Sequence, residues 1–190
     1  MNKRQFLGAA ALPLAATARP PSAPAGQGPA LLTVTGTIAR TNRGPLDPVL
    51  DQMMHKQGVQ FARAYAFDHA ALLALAPQTI RPTLEYDNKP HTLRGPLLLE
   101  VLARAGAEVG NGTVLLLRAV DGYTVELSGA QARRRRVIVA THIDGHPMPL
   151  GGLGPLWAVH DPDRLPELAQ LPPAQRFAAC PWALYHVDVR

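Results

Sequence analysis

The chain has 190 residues with 47% hydrophobic and 17% charged side chains, enough apolar material for one domain with a sizeable core. Its formal charge of +5 is concentrated at the start: residues 1–25 carry Lys3, Arg4 and Arg19 and no acid, so the remainder has 16 basic and 14 acidic residues and a charge of +2, which argues against nucleic acid as a partner. A single cysteine, Cys180, excludes an internal disulfide and any metal site built from several cysteines.

The first elements read as an address. Met1 to Arg4 is basic, Phe6 to Ala16 is apolar but too short to span a bilayer, and Ala23-Pro24-Ala25 or Ala16-Thr17-Ala18 offers the small residues of a cleavage site. Residues 1–25 are therefore expected to be a removable export signal, and Lys3-Arg4-Gln5-Phe6-Leu7 resembles the twin-arginine variant of such signals. Residues 26–30, within a Pro-, Gly- and Ala-rich run, are expected to be a linker, and 31–190 a periplasmic domain.

Leu32 to Ile38 alternates apolar and polar residues, with β-branched side chains, as a strand does. Thr41 to Pro45 is a turn, Pro48 to Lys56 a short helix, and Gln60 to Phe67 a second strand. Asp68 is placed to cap a helix over Ala70 to Ala76, with Leu72, Leu73 and Leu75 facing a core and Pro77 ending it. Ile80 to Tyr86 and His91 to Leu93 are expected to flank a turn at Asp87 to Pro90. Gly95-Pro96 opens a helix over Leu97 to Ala105, with Gly106 just past its end. Thr113 to Val120 and Tyr123 to Leu127 are strands around an Asp121-Gly122 turn. Val137 to Ile143 and Leu156 to His160 follow, with a hairpin turn at Asp144-Gly145, and the alternating tail Ala183 to Val189 closes a sheet. Short helices among many strands predict an α+β fold of mixed sheets, not a doubly wound one.

Three stretches together resemble one family. Arg94 to Leu102 with Ala105-Gly106-Ala107, then Ala119 to Val125, then Ile138 to Ala140 with Asp144 to Pro149 and Gly154 to Trp157, are similar in order and spacing to the sulfite-oxidase-like molybdopterin-binding domains. The likeness extends over roughly residues 31–189 and implies that family's fold, an oxidoreductase ancestry and a molybdopterin cofactor. Relatives ligate molybdenum through a cysteine about a dozen residues before the Gly-x-x-Leu helix; here that count reaches Thr83, a hydroxyl that does not replace a soft thiolate. Two outcomes follow from the departure. Either the domain carries no standard metal centre and binds a small molecule or a periplasmic or membrane sensor protein in the old cleft, or it is an oxidoreductase holding molybdopterin without a cysteine ligand. The residues the resemblance nominates for that pocket are Arg81, Thr83 and Glu85 on one strand, and Gly151, Gly152 and Gly154 in a glycine-rich loop.

Other chemistry-bearing residues are weaker candidates. Arg133 to Arg136 suits phosphate oxygens but reads most simply as a solvated loop edge, because consecutive side chains do not converge. His142 and His146 flank a hairpin turn and lack a third metal ligand. Asn42, Arg43 and His91 are polar groups near the presumed pocket. Ser128 sits in no nucleophile elbow. Cys180 is expected to be a small buried hydrophobe, and Trp157 and Trp182 core or pocket-wall residues.

Overall fold

The computed structural model describes residues 28–190, so the expected export signal and the first linker residues lie outside the described residues. Eleven strands, β1 Leu32–Gly36, β2 Tyr65–Phe67, β3 Pro77–Ile80, β4 Leu93–Pro96, β5 Val114–Ala119, β6 Thr124–Ser128, β7 Ile138–Ala140, β8 His142–Ile143, β9 His146–Pro147, β10 Trp157–Val159 and β11 Leu184–Val189, form three sheets. Six short helices join them: α1 Gln52–Lys56, α2 His69–Leu73, α3 Leu98–Arg104, α4 Gly129–Arg134, α5 Pro166–Ala169 and α6 Pro173–Arg176. The class is α+β. No helix among the described residues is long and apolar enough to cross a membrane.

The principal sheet has the order β2-β1-β11-β5-β6, with β1 parallel to β11 and every other neighbour antiparallel. The tail strand β11 therefore lies at the centre of this sheet, not at its edge, and five of its six residues are buried. One face packs against helices: Leu98, Val101 and Leu102 of α3 and Ala132 of α4 meet Leu32, Val34, Leu115, Leu117 and Val187. The opposite face is covered by the segment around α1, where Met54 and Val59 pack on Tyr185 and Gln57 bridges the Tyr185 hydroxyl (2.8 Å) and the Val120 carbonyl (2.9 Å).

That second face buries polar groups in a defined arrangement. The Thr35 hydroxyl donates to Asp188 (3.1 Å) and lies 2.9 Å from His186 Nε2. A hydroxyl has one proton to give, so His186 must donate from Nε2, leaving its buried Nδ1 without a partner among the described residues. A second core sits under the two smaller sheets, β10-β7 and β3-β4-β8-β9, around Trp157, Ile138, Leu93, Leu84, Phe177 and Cys180.

Several expected elements are displaced, each for a local reason. The strand expected over Ile80 to Tyr86 ends at Ile80, and Glu85 to Asp87 turn instead; Pro82 has no N–H to continue a ladder, and the Asp87 carboxylate accepts from Lys89 N–H (3.0 Å). Thr83 and Glu85 are consequently not neighbours on one strand face. Gly95 and Pro96 belong to β4, and the helix starts only at Leu98. The helix expected over Ala70 to Ala76 runs His69–Leu73 instead; Leu72 in it is buried and Leu73 exposed, and Leu75 beyond it is half-buried. Arg133 and Arg134 are on α4, not on a loop edge; Ser128 accepts from Gln131 N–H, and the Gln131 side chain accepts from Ser128 N–H, a capping box.

Gly95 is where β4 crosses closely over β7: a methyl group there would overlap the Val139 carbonyl oxygen and lie 2.8 Å from Ala140 Cα, both backbone atoms that cannot swing aside. Gly95→Ala should therefore lower the unfolding free energy by about 2–3 kcal/mol, whereas Gly112→Ala, with nothing within 4 Å of the new methyl, should change it by no more than about 0.5 kcal/mol. Urea denaturation of both variants checks this; equal stabilities would contradict the close crossing.

Candidate ligand-binding cleft

Three separate turns build one half-open cavity of about 240 Å³. The first is the Glu85 to Asp87 turn, stapled by Leu84 N–H to Lys89 O (2.9 Å), Asn88 N–H to Leu84 O (3.0 Å) and the bridge between Thr83 and Pro90. It presents Glu85 and Tyr86. The second is the β5–β6 hairpin turn, where Asp121 accepts from Tyr123 N–H (2.8 Å) and Gly122 takes the left-handed backbone (φ +91°) that the turn requires. It presents Asp121 and Tyr123. The third is the stretch from α6 into β11, which contributes Phe177, Ala178, Cys180 and Trp182.

The cavity wall is locked to the second core. Trp157 is fully buried and donates its indole N–H to Cys180 O (2.9 Å), while Cys180 N–H reaches Phe177 O (2.8 Å). The Tyr123 hydroxyl donates to Ala178 O (2.7 Å), tying the second turn to the third. Partial burial, with the neighbouring Glu85 negative charge, pushes the Tyr86 hydroxyl up to about 12.

Cys180 is the buried hydrophobe expected, and it also reaches the same cavity as Glu85. Its Sγ lies 3.3 Å from His160 Nδ1. Such a Cys–His contact becomes an activated nucleophile as thiolate and imidazolium. Both groups are driven the other way: burial pushes the Cys180 thiol up to about 12, and burial with the neighbouring Arg135 charge holds His160 down at about 4. The pair stands as thiol and neutral imidazole.

The six residues nominated for molybdopterin do not share a cavity. Glu85 alone lines the cleft. Arg81 is exposed, its backbone N–H turned to the Asp161 carboxylate; Thr83 is half-buried, its N–H donating to Asp163 (2.7 Å). Gly151 and Gly152 are exposed in a turn, and a side chain at Gly151 would meet nothing within 4 Å. Gly154 is buried because its backbone presses on Met148, a packing role and not an anion cradle. With a neutral threonine at the ligand position and no common cradle, these residues do not fit a standard molybdenum centre.

The remaining candidates are engaged elsewhere. Asn42 forms two bonds with the Ala66 backbone (2.7 and 2.8 Å), extending the edge of β2. Arg43 pairs with Asp51, donates to Thr33 (3.3 Å) and stacks over Phe61 (5.2 Å to the ring centre). His91 is clamped by Asp144 (2.6 Å) and Asp87 (3.0 Å), whose carboxylates raise its pKa; it pins the β8–β9 hairpin to the Glu85 to Asp87 turn. His142 pairs across its hairpin with Pro147, not with His146, and stacks on His69 at 5.9 Å. No group of three or more potential metal-binding side chains occurs among the described residues.

The arginine run splays in several directions. Arg133 donates to Asn111 (2.8 Å) and Val109 O (2.9 Å), Arg134 pairs with Glu167, and Arg136 donates to Gln78 (2.9 Å). Arg134, Arg135, Arg136 and Arg164 line a separate cavity with Asp161, whose pKa burial raises. Sequence reasoning missed Tyr86, Asp121 and Tyr123 as cleft residues; the two turn motifs were visible, but nothing local says that they face each other. No protein-family model and no curated protein matches this sequence.

His160 and His186 are both pressed down to about 4 by burial, from an ordinary value of 6.5. The unfolded chain then takes up these protons first, so their contribution is complete above pH 6.5 and is lost as pH falls toward 4, on the order of 3 kcal/mol each. Thermal midpoints should fall through this interval, and His160→Gln/His186→Gln should flatten the slope. Identical slopes in wild type and variant would contradict neutral, buried imidazoles.

Proposed function

We propose that this chain is an exported domain with the sulfite-oxidase-like molybdopterin-binding fold that has no standard molybdenum centre and binds a ligand, or a periplasmic or sensor partner, through the cleft around Glu85. The three motif stretches support the family, and the α+β arrangement of short helices on mixed sheets is compatible with it. The observation that carries the functional reading is the lining of the cleft: of the residues nominated for the cofactor only Glu85 reaches it, and Thr83, at the position of the relatives' cysteine, offers only a hydroxyl.

What remains of the cleft is suited to recognition. It is half open, it has aromatic and carboxylate walls, and hydrogen bonds between backbone and side chains fix all three turns that form it. The competing reading, an oxidoreductase with a non-cysteine site at Arg81, Thr83 and the Gly151 to Gly154 loop, lacks a shared cavity for those residues.

The mature protein, purified from the periplasm of its native host, is expected to contain molybdenum and pterin far below one per chain, by mass spectrometry of the metal and fluorescence of the oxidised pterin. Near-stoichiometric molybdenum would overturn the proposal.

A further inference from the structure

We infer that the cleft takes a small organic cation, an alkylammonium head group; this rests on the ligand-binding reading above and names the class of ligand. Aromatic residues are scarce in this chain, with Trp 2, Tyr 4 and Phe 4. Even so, Tyr86, Tyr123 and Trp182, which are 56%, 50% and 44% exposed, all line this one cavity. Rings left half in water at a single concavity mark a binding surface more than a packing one.

The charge of the walls then selects the ligand. Glu85 and Asp121 contribute two carboxylates, and no lysine, arginine or histidine lines the cavity. Aromatic faces are themselves electron-rich. An anion would be repelled by both features, and a neutral apolar molecule would strip water from the carboxylates without compensation. A cation carrying methyl groups gains from the rings through cation–π attraction and dispersion, and from the carboxylates through charge.

The geometry is prepared for this. Tyr123 is tethered at its hydroxyl to Ala178 O (2.7 Å), and Trp182 through its backbone bridge to Trp157. These two rings are held at the edge or the backbone, so little freedom is lost on binding. Phe177 and Cys180, both buried, supply an apolar wall. At about 240 Å³ the cavity falls below the roughly 300–1,000 Å³ of drug-sized sites and suits a head group. A free ammonium compound and the choline head of a lipid share this chemistry.

Tryptophan fluorescence of the full mature chain tests the inference, because Trp157 is buried and Trp182 faces the cleft. Choline, its uncharged analogue 3,3-dimethylbutan-1-ol, and methanesulfonate are titrated at matched ionic strength. Saturable binding of choline alone is expected. Calorimetry should show choline affinity reduced roughly tenfold or more in Trp182→Ala and in Glu85→Gln, and nearly retained in Glu126→Gln, which removes an exposed carboxylate outside the cleft. Circular dichroism confirms folding of each variant. Binding of the neutral analogue or of the sulfonate as strongly as choline overturns the cation assignment and leaves a ligand-binding cleft standing; silence from all three probes overturns both. Sedimentation with phosphatidylcholine but not phosphatidylglycerol vesicles would assign the lipid source, and binding of free choline without vesicle binding the soluble one.

Discussion

Between Phe177 and Ala183 the chain has to satisfy the second core and the central strand at once. Cys180 O accepts the buried Trp157 indole, Ala158 N–H donates to Pro181 O (3.2 Å), and Ala183 N–H donates to Leu153 O (3.1 Å) before β11 begins. These bonds sink Cys180 into the core and leave Trp182, two residues on, at the surface. The desolvation of one thiol and the exposure of one indole are thus two consequences of a single backbone path. Everything chemical about the cleft follows from it: a sulfur that keeps its proton on the inner wall, and an aromatic face at the mouth.

The charge of the molecule is sorted in a way its near-neutral balance conceals. Two carboxylates and three half-exposed rings share the Glu85 cleft, whereas four arginines and a single carboxylate share the cavity between α4 and the turn after β10. The arginines in and just beyond the last turn of α4 are favourably placed with respect to its dipole, and most find a neighbour of their own. Arg135 also depresses His160 from its side, while drawing the Cys180 thiol down against the larger effect of its burial.

Local patterns in the sequence were legible where the physics is local. The alternation in Leu32 to Gly36, the Asp121-Gly122 and Asp144-Gly145 turns, the Asp68 cap and the apolar run of β5 all appear in the structure. The α4 helix was legible too, through the Ser128 and Gln131 spacing of its capping box, but the arginine run drew the reading toward a loop. What could not be read was non-local. Gly95 and Pro96 look like a helix opener until β7 is seen crossing behind them, and nothing in the tail strand says that β1 and β5 will lie on either side of it. The site suffered most, because three turns distant in sequence supply it. Of the six residues nominated for a cofactor only Glu85 lines the cleft, since Pro82 ends the strand that was to carry Arg81, Thr83 and Glu85 together.

The claim that the cleft sulfur stays protonated is tested most directly by following the ultraviolet absorbance of the thiolate, together with the rate of alkylation of Cys180, as pH is raised on the folded protein. With burial holding the thiol near 12, no thiolate should appear before strongly alkaline pH, and alkylation should be slow until the protein opens. A thiolate titrating below about pH 8 in the native state, like an activated cysteine, would contradict the account.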